Sequence, residues 1–355
     1  MKILLSIIII VLLVVLGWFG YQYQQTQHTV TALHQTLLAT EQDGEQVESL
    51  RENVRRLKEQ LTQQNEEDRI YTILAGGDIM LDRGVEGKIK SLGRNYNFAF
   101  DLIRDDLNHA DLVFANLEGS ISNVGVDTGK AYSFRFEPET AQSLYTAGID
   151  IVSLANNHML DWGRDSLCDT TKHLAQAGVH FVGAGCTADE AETPYIIELG
   201  TTRVAFLAYT EFYQGAHAVG DKPGMTEWNV DKITERITSI KQQPDIDLVM
   251  VSMHWGIEYE PRASTSQVTL GQTFIDAGAD VVIGHHPHVV EEIERYGDGW
   301  IIYSLGNFVF DQSWSTETMR GLVAEIQVQN GRVYDIIPHS IQLNDHYQPY
   351  MVDEI

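Results

Sequence analysis

Short apolar runs recur along the chain, and each stops at a polar tip. YTILAGGDIM delivers Asp78, DLVFANLEGS ends at Asn116 and Glu118, and DIVSLANNHMLDWG ends at Asn156, Asn157, His158 and Asp161. DLVMVSMHWG ends at His254, and DVVIGHHPHV at His286 and His288. Runs of this length and apolarity predict buried strands. Segments with helical spacing lie between them: PETAQSLYTAG, GRDSLCDTTKHLAQAG and TSQVTLGQTFIDAG, the last two closed by glycine as a C-terminal cap. Strand alternating with helix predicts an α/β sheet. In such sheets the carboxyl ends of the strands form the ligand crevice. Asp78, Glu118, Asn157, His254, His286 and His288 are therefore expected to converge. One histidine after an apolar run is most often an ordinary surface or core residue. Separate strand ends that all carry carboxylate, amide or imidazole point to a metal site.

The pattern differs before residue 70. Ile3 to about Phe19 is unbroken apolar chain, at the short end of the roughly 17–25 residues that span a bilayer. Trp18, Tyr21 and Tyr23 suit an interface belt, and no small-x-small cleavage site follows. Residues 1–22 are expected to be an uncleaved anchor; a cleaved signal peptide is the alternative. Lys2 and the long acidic domain that follows place the N-terminus in the cytoplasm and the domain outside the cell membrane. Residues 23–69 are expected to form a helical stalk. Val47, Leu50, Val54, Leu57 and Leu61 have the three-and-four spacing of a coiled coil, which would join chains into a homo-oligomer. A single solvated helix is the competing reading.

Charge narrows the partners. Lys and Arg total 24 against 50 Asp and Glu, a net charge of −26. Nothing in that balance neutralises a phosphate backbone, so nucleic acid is excluded as a partner. An anionic substrate needs a local positive centre, such as bound metal. Cys168 and Cys186 fit an oxidising or a reducing compartment, and their pairing stays open.

The histidine run 285–288 sharpens the metal reading. An H-x-H pair on extended chain puts His286 and His288 on one side, and Pro287 stiffens their spacing. His285 alternates to the other side and reads as support. Mixed oxygen and nitrogen donors suit Mn²⁺, Zn²⁺ or Fe better than Ca²⁺. Six ligands are many for one ion, so one or two ions are expected, two sharing a bridging carboxylate.

GGDIMLDRG, ANLEGSI, SLANNHMLDWG, SMHWGIEY, IGHHPHV and IIYSLGNFVFDQ, in this order, resemble the CapA family. This is the poly-γ-glutamate capsule synthesis family of the calcineurin-like metallophosphoesterase superfamily. The resemblance covers about residues 70–345 and leaves 346–355 as a tail. It implies a metallophosphoesterase-like four-layer α/β sandwich, two mixed β-sheets flanked by helices. It also implies a role in making, exporting or anchoring poly-γ-glutamate beside membrane synthase and export subunits. Asp78, Glu118, Asn157, His254, His286 and His288 match the superfamily's metal ligands. Met80 stands where the superfamily has a ligating His, and a thioether is a poor ligand for such ions.

The resemblance gives His158 the role of general acid, and Asp161 can orient its ring. The other reading of Asp161 is a helix cap ahead of GRDSL. Arg83 and Arg135 are candidates to hold a carboxylate or phosphate, or else structural ion pairs. Glu258 and Tyr259 are placed to line the cleft. Asn307 is expected to shape the pocket floor, mainly through backbone hydrogen bonding. Two functions remain: a metal-dependent hydrolase or transferase acting on poly-γ-glutamate or a related envelope polymer, and a non-catalytic assembly subunit.

Overall fold

The computed structural model describes residues 69–212 and 215–352, with six exposed helical positions between Glu52 and Glu59. The anchor expected at 1–22 and the stalk positions Val47, Leu50, Val54, Leu57 and Leu61 lie outside the described residues. Among the described residues no helix is long and apolar enough to cross a membrane. The chain divides into two units, Met1–Arg69 and Ile70–Ile355, and the second carries everything below.

In chain order its first strands are β1 (Tyr71–Ile79), β2 (Leu112–Leu117), β3 (Ser120–Ile121), β4 (Arg135–Phe136), β5 (Ile151–Ser153) and β6 (His180–Val182). Next come β7 (Ala184–Gly185), β8 (Tyr195–Leu199), β9 (Thr202–Thr210), β10 (Gly224–Met225), β11 (Leu248–His254) and β12 (Val281–His285). The last are β13 (Ile293–Tyr296), β14 (Gly299–Ile302), β15 (Asn307–Val309), β16 (Arg320–Gln329), β17 (Arg332–Leu343) and β18 (Pro349–Met351). The helices are α1 (Arg83–Ser91), α2 (Arg104–Leu107), α3 (Glu139–Ala147), α4 (Gly163–Ala177), α5 (Ala188–Glu192), α6 (Val230–Lys241) and α7 (Thr265–Asp276).

One sheet runs β18-β17-β16-β1-β2-β5-β6, with β15 added beside β1. The strands β1, β2, β5 and β6 are mutually parallel, and β16 to β18 are antiparallel. The other sheet runs β13-β14-β12-β11-β9-β8, parallel through its centre with an antiparallel strand at each edge. Both sheets are therefore mixed. The stretch expected to be a tail from residue 346 instead contributes β18, which pairs with β17 at the edge of the first sheet.

Side chains of the central strands alternate between two apolar environments. Ile73, Ala75, Phe114, Met250 and Ile283 fill the space between the sheets. Leu74, Val113 and Val152 face the other way, onto Val85 and Ile89 of α1, Leu144 of α3 and Leu167 and Leu174 of α4. On the second sheet Val249, Val251 and Met253 meet Ile233, Ile237 and Ile240 of α6 and Phe274 of α7. Strands buried on both faces carry no polar alternation, which is why they read in sequence as continuous apolar runs.

Closure near the crevice demands glycine. The pairing of β1 with β2 slips between Ala75 and Asp78, a bulge at Gly76–Gly77. A Cβ on Gly77 would stand 1.9 Å from the Gly306 carbonyl oxygen, so only glycine lets these backbones meet. Helix α4 ends at Gly178 in the left-handed region (φ 86°), as its sequence implied. Helix α7 is capped by Ala277, with Gly278 following at φ 112°. A disulfide joins Cys168 of α4 to Cys186.

Helix α7 starts with a capping box between Ser264 and Gln267. The buried Gln267 also donates through Nε2 to Glu291 Oε2 at 2.6 Å. Burial pushes the Glu291 carboxyl up to about 7, against an ordinary 4.5. Between those values the folded chain holds a proton that the unfolded chain has released, so stability falls as pH rises through this window. Glu291→Gln removes that slope. The stability difference between variant and wild type should grow in the variant's favour from pH 5 to pH 8, by on the order of 2 kcal/mol. Melting curves at the two pH values measure it, and a pH-independent difference would contradict the assignment.

Candidate metal centre

The carboxyl ends of β1, β2, β5, β11 and β12 meet at one place. Register puts Asp78 beside Asn116 on one side and Asn307 on the other, and pairs His254 with His285. Asp78 is fully buried, and Asn116 Nδ2 donates to its Oδ1 at 2.8 Å. The His286 amide donates to Oδ2 at 3.2 Å. Burial alone would raise this carboxyl, but the His285 and His288 rings, 3.5 and 3.3 Å away, hold it well below the usual carboxylate range. His285 thus lies behind the ligand set, packed toward Phe114, as support.

Glu118 differs. It is fully buried, and neither carboxylate oxygen has a hydrogen-bond partner. The rings of His158 and His288 come no closer than 3.7 Å through Nε2. Burial raises its carboxyl well above normal, and Asp78, Glu258 and Asp161 add to the rise against His288. A buried carboxylate without donors is costly unless a cation answers it.

Asn157 Oδ1 lies 3.0 Å from His254 Nε2. Burial, reinforced by His286, holds His254 well below its ordinary value, and burial with His288 lowers His286 to about 3. Both shifts favour the neutral imidazole, the form a metal requires. His286 Nδ1 has no partner. Burial opposes protonation of His288, yet Glu118 and Asp78 lift it to about 9. Its Nδ1 faces Asn307 Oδ1 at 3.0 Å, while Asn307 Nδ2 donates to Gln312 and to the Thr318 carbonyl. Asn307 therefore bonds a backbone carbonyl, as its sequence suggested, and in addition orients His288 through Oδ1.

Backbone strain gathers at the same place. His286 (φ 99°), His288 (φ 60°), Arg83 (φ 51°) and Tyr259 (φ 67°) all occupy the left-handed region. Each such conformation costs about 1–3 kcal/mol in a residue with a side chain and persists only where surroundings enforce it. Two candidate groups of metal-competent atoms result. Asp78, Glu118 and His254 form one; Glu258, His286 and His288 form the other, the atoms of each within 4.8 Å of one another.

A cavity of about 330 Å³ opens over this cluster, lined by Arg83, Tyr132, Phe134, His158, Glu258, Tyr259, His288, Phe310, Gln312 and Trp314. His158 stacks on Phe134 (centroids 3.9 Å apart) and places Nδ1 2.6 Å from Asp161 Oδ2. The same Oδ2 accepts the Phe134 amide at 2.9 Å, and Lys130 Nζ lies 2.7 Å from Oδ1. Asp161 caps no helix, since Trp162 occupies the N-cap of α4 without a side-chain bond. Burial holds His158 below its ordinary value against the pull of Asp161. Arg83 reaches the cavity, paired with Asp311 and lying 4.7 Å over Phe134. Arg135 does not. Phe134 and Phe136 point into the core, so alternation along β4 turns Arg135 outward, 3.5 Å over the Trp162 ring. A larger hollow of about 450 Å³ beside His180 and Tyr195 is reached by none of the strand-end ligands.

Sequence reasoning named Asn116 and Asn156 as strand-end tips without giving them a role, and did not name Lys130. Asn156 donates to Asn116 and the Leu117 carbonyl and accepts the His158 amide, tying the ends of β2 and β5 together. Its signal was present, an amide at the same strand end as the ligands. Lys130 lies in a loop with no periodicity to mark it.

The family model described as "Bacterial capsule synthesis protein PGA_cap" matches residues 72–312. The chain is 34% identical over 287 residues to the capsule biosynthesis protein CapA of Bacillus anthracis, covering 78% of this chain and 69% of that protein. It is 31% identical over 259 residues to the PGA biosynthesis protein CapA of Bacillus subtilis, covering 72% and 67%. A probable polyglutamine synthesis accessory protein of Mycobacterium tuberculosis is 28% identical, covering 68% and 75%. Among solved structures, a putative 5′-nucleotidase of Staphylococcus aureus is 13% identical with a TM-score of 0.48, covering 81% of this chain and 55% of that one.

Proposed function

The chain belongs to the bacterial capsule synthesis protein family PGA_cap, and from that premise we propose that it is a metal-dependent hydrolase or transferase acting on poly-γ-glutamate or a related anionic envelope polymer. The observation that carries the reading is that the unpartnered, buried Glu118 lies 3.7 Å from a histidine that is held by a carboxylate and lines the cavity. The donors fit one or two ions of Mn²⁺, Zn²⁺ or Fe, held by Asp78, Glu118, Asn157, His254, His286 and His288. Bound metal supplies Lewis acidity, acidifying water and polarising the oxygen of the bond to be broken.

The chain's own residues do the rest. Asp161 receives the Nδ1–H of His158 and fixes the tautomer, which leaves Nε2 facing the Glu118 side as the atom that carries a proton to the leaving group. Phe134 holds the ring by stacking. Arg83 and Tyr259 meet the polymer at the cavity rim. In a chain of net charge −26 the metal centre is what offsets repulsion of an acidic substrate.

We further propose that the site works outside the cytoplasm, beside synthase and export subunits, with the apolar segment at 1–22 as membrane anchor. The Cys168–Cys186 disulfide supports that placement, because such bonds persist in oxidising compartments. A second reading, a non-catalytic assembly subunit, draws support from Met80, whose sulfur accepts the Asp82 amide and lies fully buried. The deciding experiment offers metal-stripped protein Mn²⁺ or Zn²⁺ with γ-linked glutamate oligomers or a generic phosphodiester. Ion-dependent release of γ-glutamyl fragments is expected. Absence of turnover on both, with polymer export lost in cells lacking the protein, would favour the assembly subunit.

A further inference from the structure

We propose that Glu258 is a metal ligand, and that it supplies from a loop the donor that Met80 cannot supply from the end of β1. The inference rests on the metal reading above and names a residue that reading leaves out. Met80 is fully buried, and its Sδ accepts the Asp82 amide at 3.2 Å, so it has turned away from the cavity. A Glu258 carboxylate oxygen lies with a ring nitrogen of His286 and one of His288 inside a 4.8 Å set.

The backbone holds it there. The Trp255 amide donates to the His285 carbonyl at 3.1 Å, and the Tyr259 amide to the Pro287 carbonyl at 2.8 Å. Residues 255–259 are thus fastened to the strained segment that presents the two histidines. Tyr259 itself sits at φ 67° to make the second of these bonds. Strain kept in three neighbouring pieces of one seat is what a pre-formed binding geometry requires.

Unsatisfied groups belong to the same cluster. His286 Nδ1 and both oxygens of Glu118 are buried without partners, and Glu118 Oε1 is 3.7 Å from His288 Nε2. A cation between Glu258, His286 and His288 would give Glu118 the counter-charge it lacks and let it bridge to Asp78 and His254. Glu258 is exposed, whereas His286 and His288 are buried. One exposed carboxylate on an otherwise buried seat leaves that side of the cluster open to the cavity.

The test titrates chelator-stripped, full-length protein with Mn²⁺ alone by calorimetry and counts bound metal by elemental analysis. Wild type, Glu258→Gln, Glu258→His and His254→Ala are compared. Glu258→Gln is expected to lose one class of site or weaken it by roughly tenfold or more, while Glu258→His retains it. Melting of metal-free Glu258→Gln should match wild type, since the side chain is exposed; if that variant folds poorly, retention by Glu258→His carries the test. Wild-type stoichiometry and affinity in Glu258→Gln would overturn this inference and leave the metal reading standing, provided His254→Ala binds less. Failure of wild type itself to bind Mn²⁺ would overturn both.

Discussion

Replacing His158 with alanine is expected to lower turnover of a cleavable polymer by ~10²–10⁴-fold, the usual worth of a positioned proton donor. Metal content should stay at the wild-type level, because His158 belongs to neither group of candidate ligands. Asp161→Asn should approach the same loss. Its Oδ2 holds both His158 Nδ1 and the Phe134 amide, and an amide there no longer fixes the imidazole tautomer. His158→Gln, which keeps much of the contact with Phe134, separates lost chemistry from lost packing. Steady-state rates with metal content measured on the same samples decide the matter. Undiminished turnover in all three variants would remove His158 and Asp161 from the chemistry.

Glu118→Met should do two opposite things. Without metal, the variant is expected to be more stable than wild type by about 1–3 kcal/mol, because a buried carboxyl with no hydrogen bond is replaced by an apolar chain of similar length. With metal, the order reverses. Wild type gains about 2.7 kcal/mol at an ion concentration a hundredfold above its dissociation constant, and the variant loses the part of that gain that comes from the group of Asp78, Glu118 and His254. Melting curves with chelator and with Mn²⁺ give both quantities. A variant that still responds fully to Mn²⁺ would show that Glu118 is not a ligand. The expected trade is the familiar one in which a site is kept at the expense of stability.

Much of this site could be read from the strand ends alone. Asp78, Glu118, Asn157, His254, His286 and His288 each follow an apolar run, and the topology does bring those ends together. Strand alternation also predicted His285 behind the cluster. It would have excluded Arg135 as well, had β4 been recognised, but two residues of strand give no periodicity to detect. The left-handed backbone at His286 and His288 was not legible either. Period-two reasoning assumed extended chain, whereas His286 sits at φ 99° and His288 at φ 60°. The sequence put Glu258 in the cleft, where it lies, but its approach to His286 and His288 depends on a loop folding back onto Pro287, a contact set by tertiary structure and silent in the local pattern. So too the strand at Pro349–Met351, which is too short to announce itself and forms because β17 offers an edge.

The pairing of β1 with β15 and β16 has a temporal consequence. Asp78 is emitted early by the ribosome, yet its neighbours in the folded cluster include Asn307, and the His286 amide that binds it is 208 residues downstream. A chain still being made has no cavity to fill. Contacts of such sequence separation close slowly and last. The cluster therefore cannot assemble before Asn307 has been made, and any ion it takes would be taken after that point.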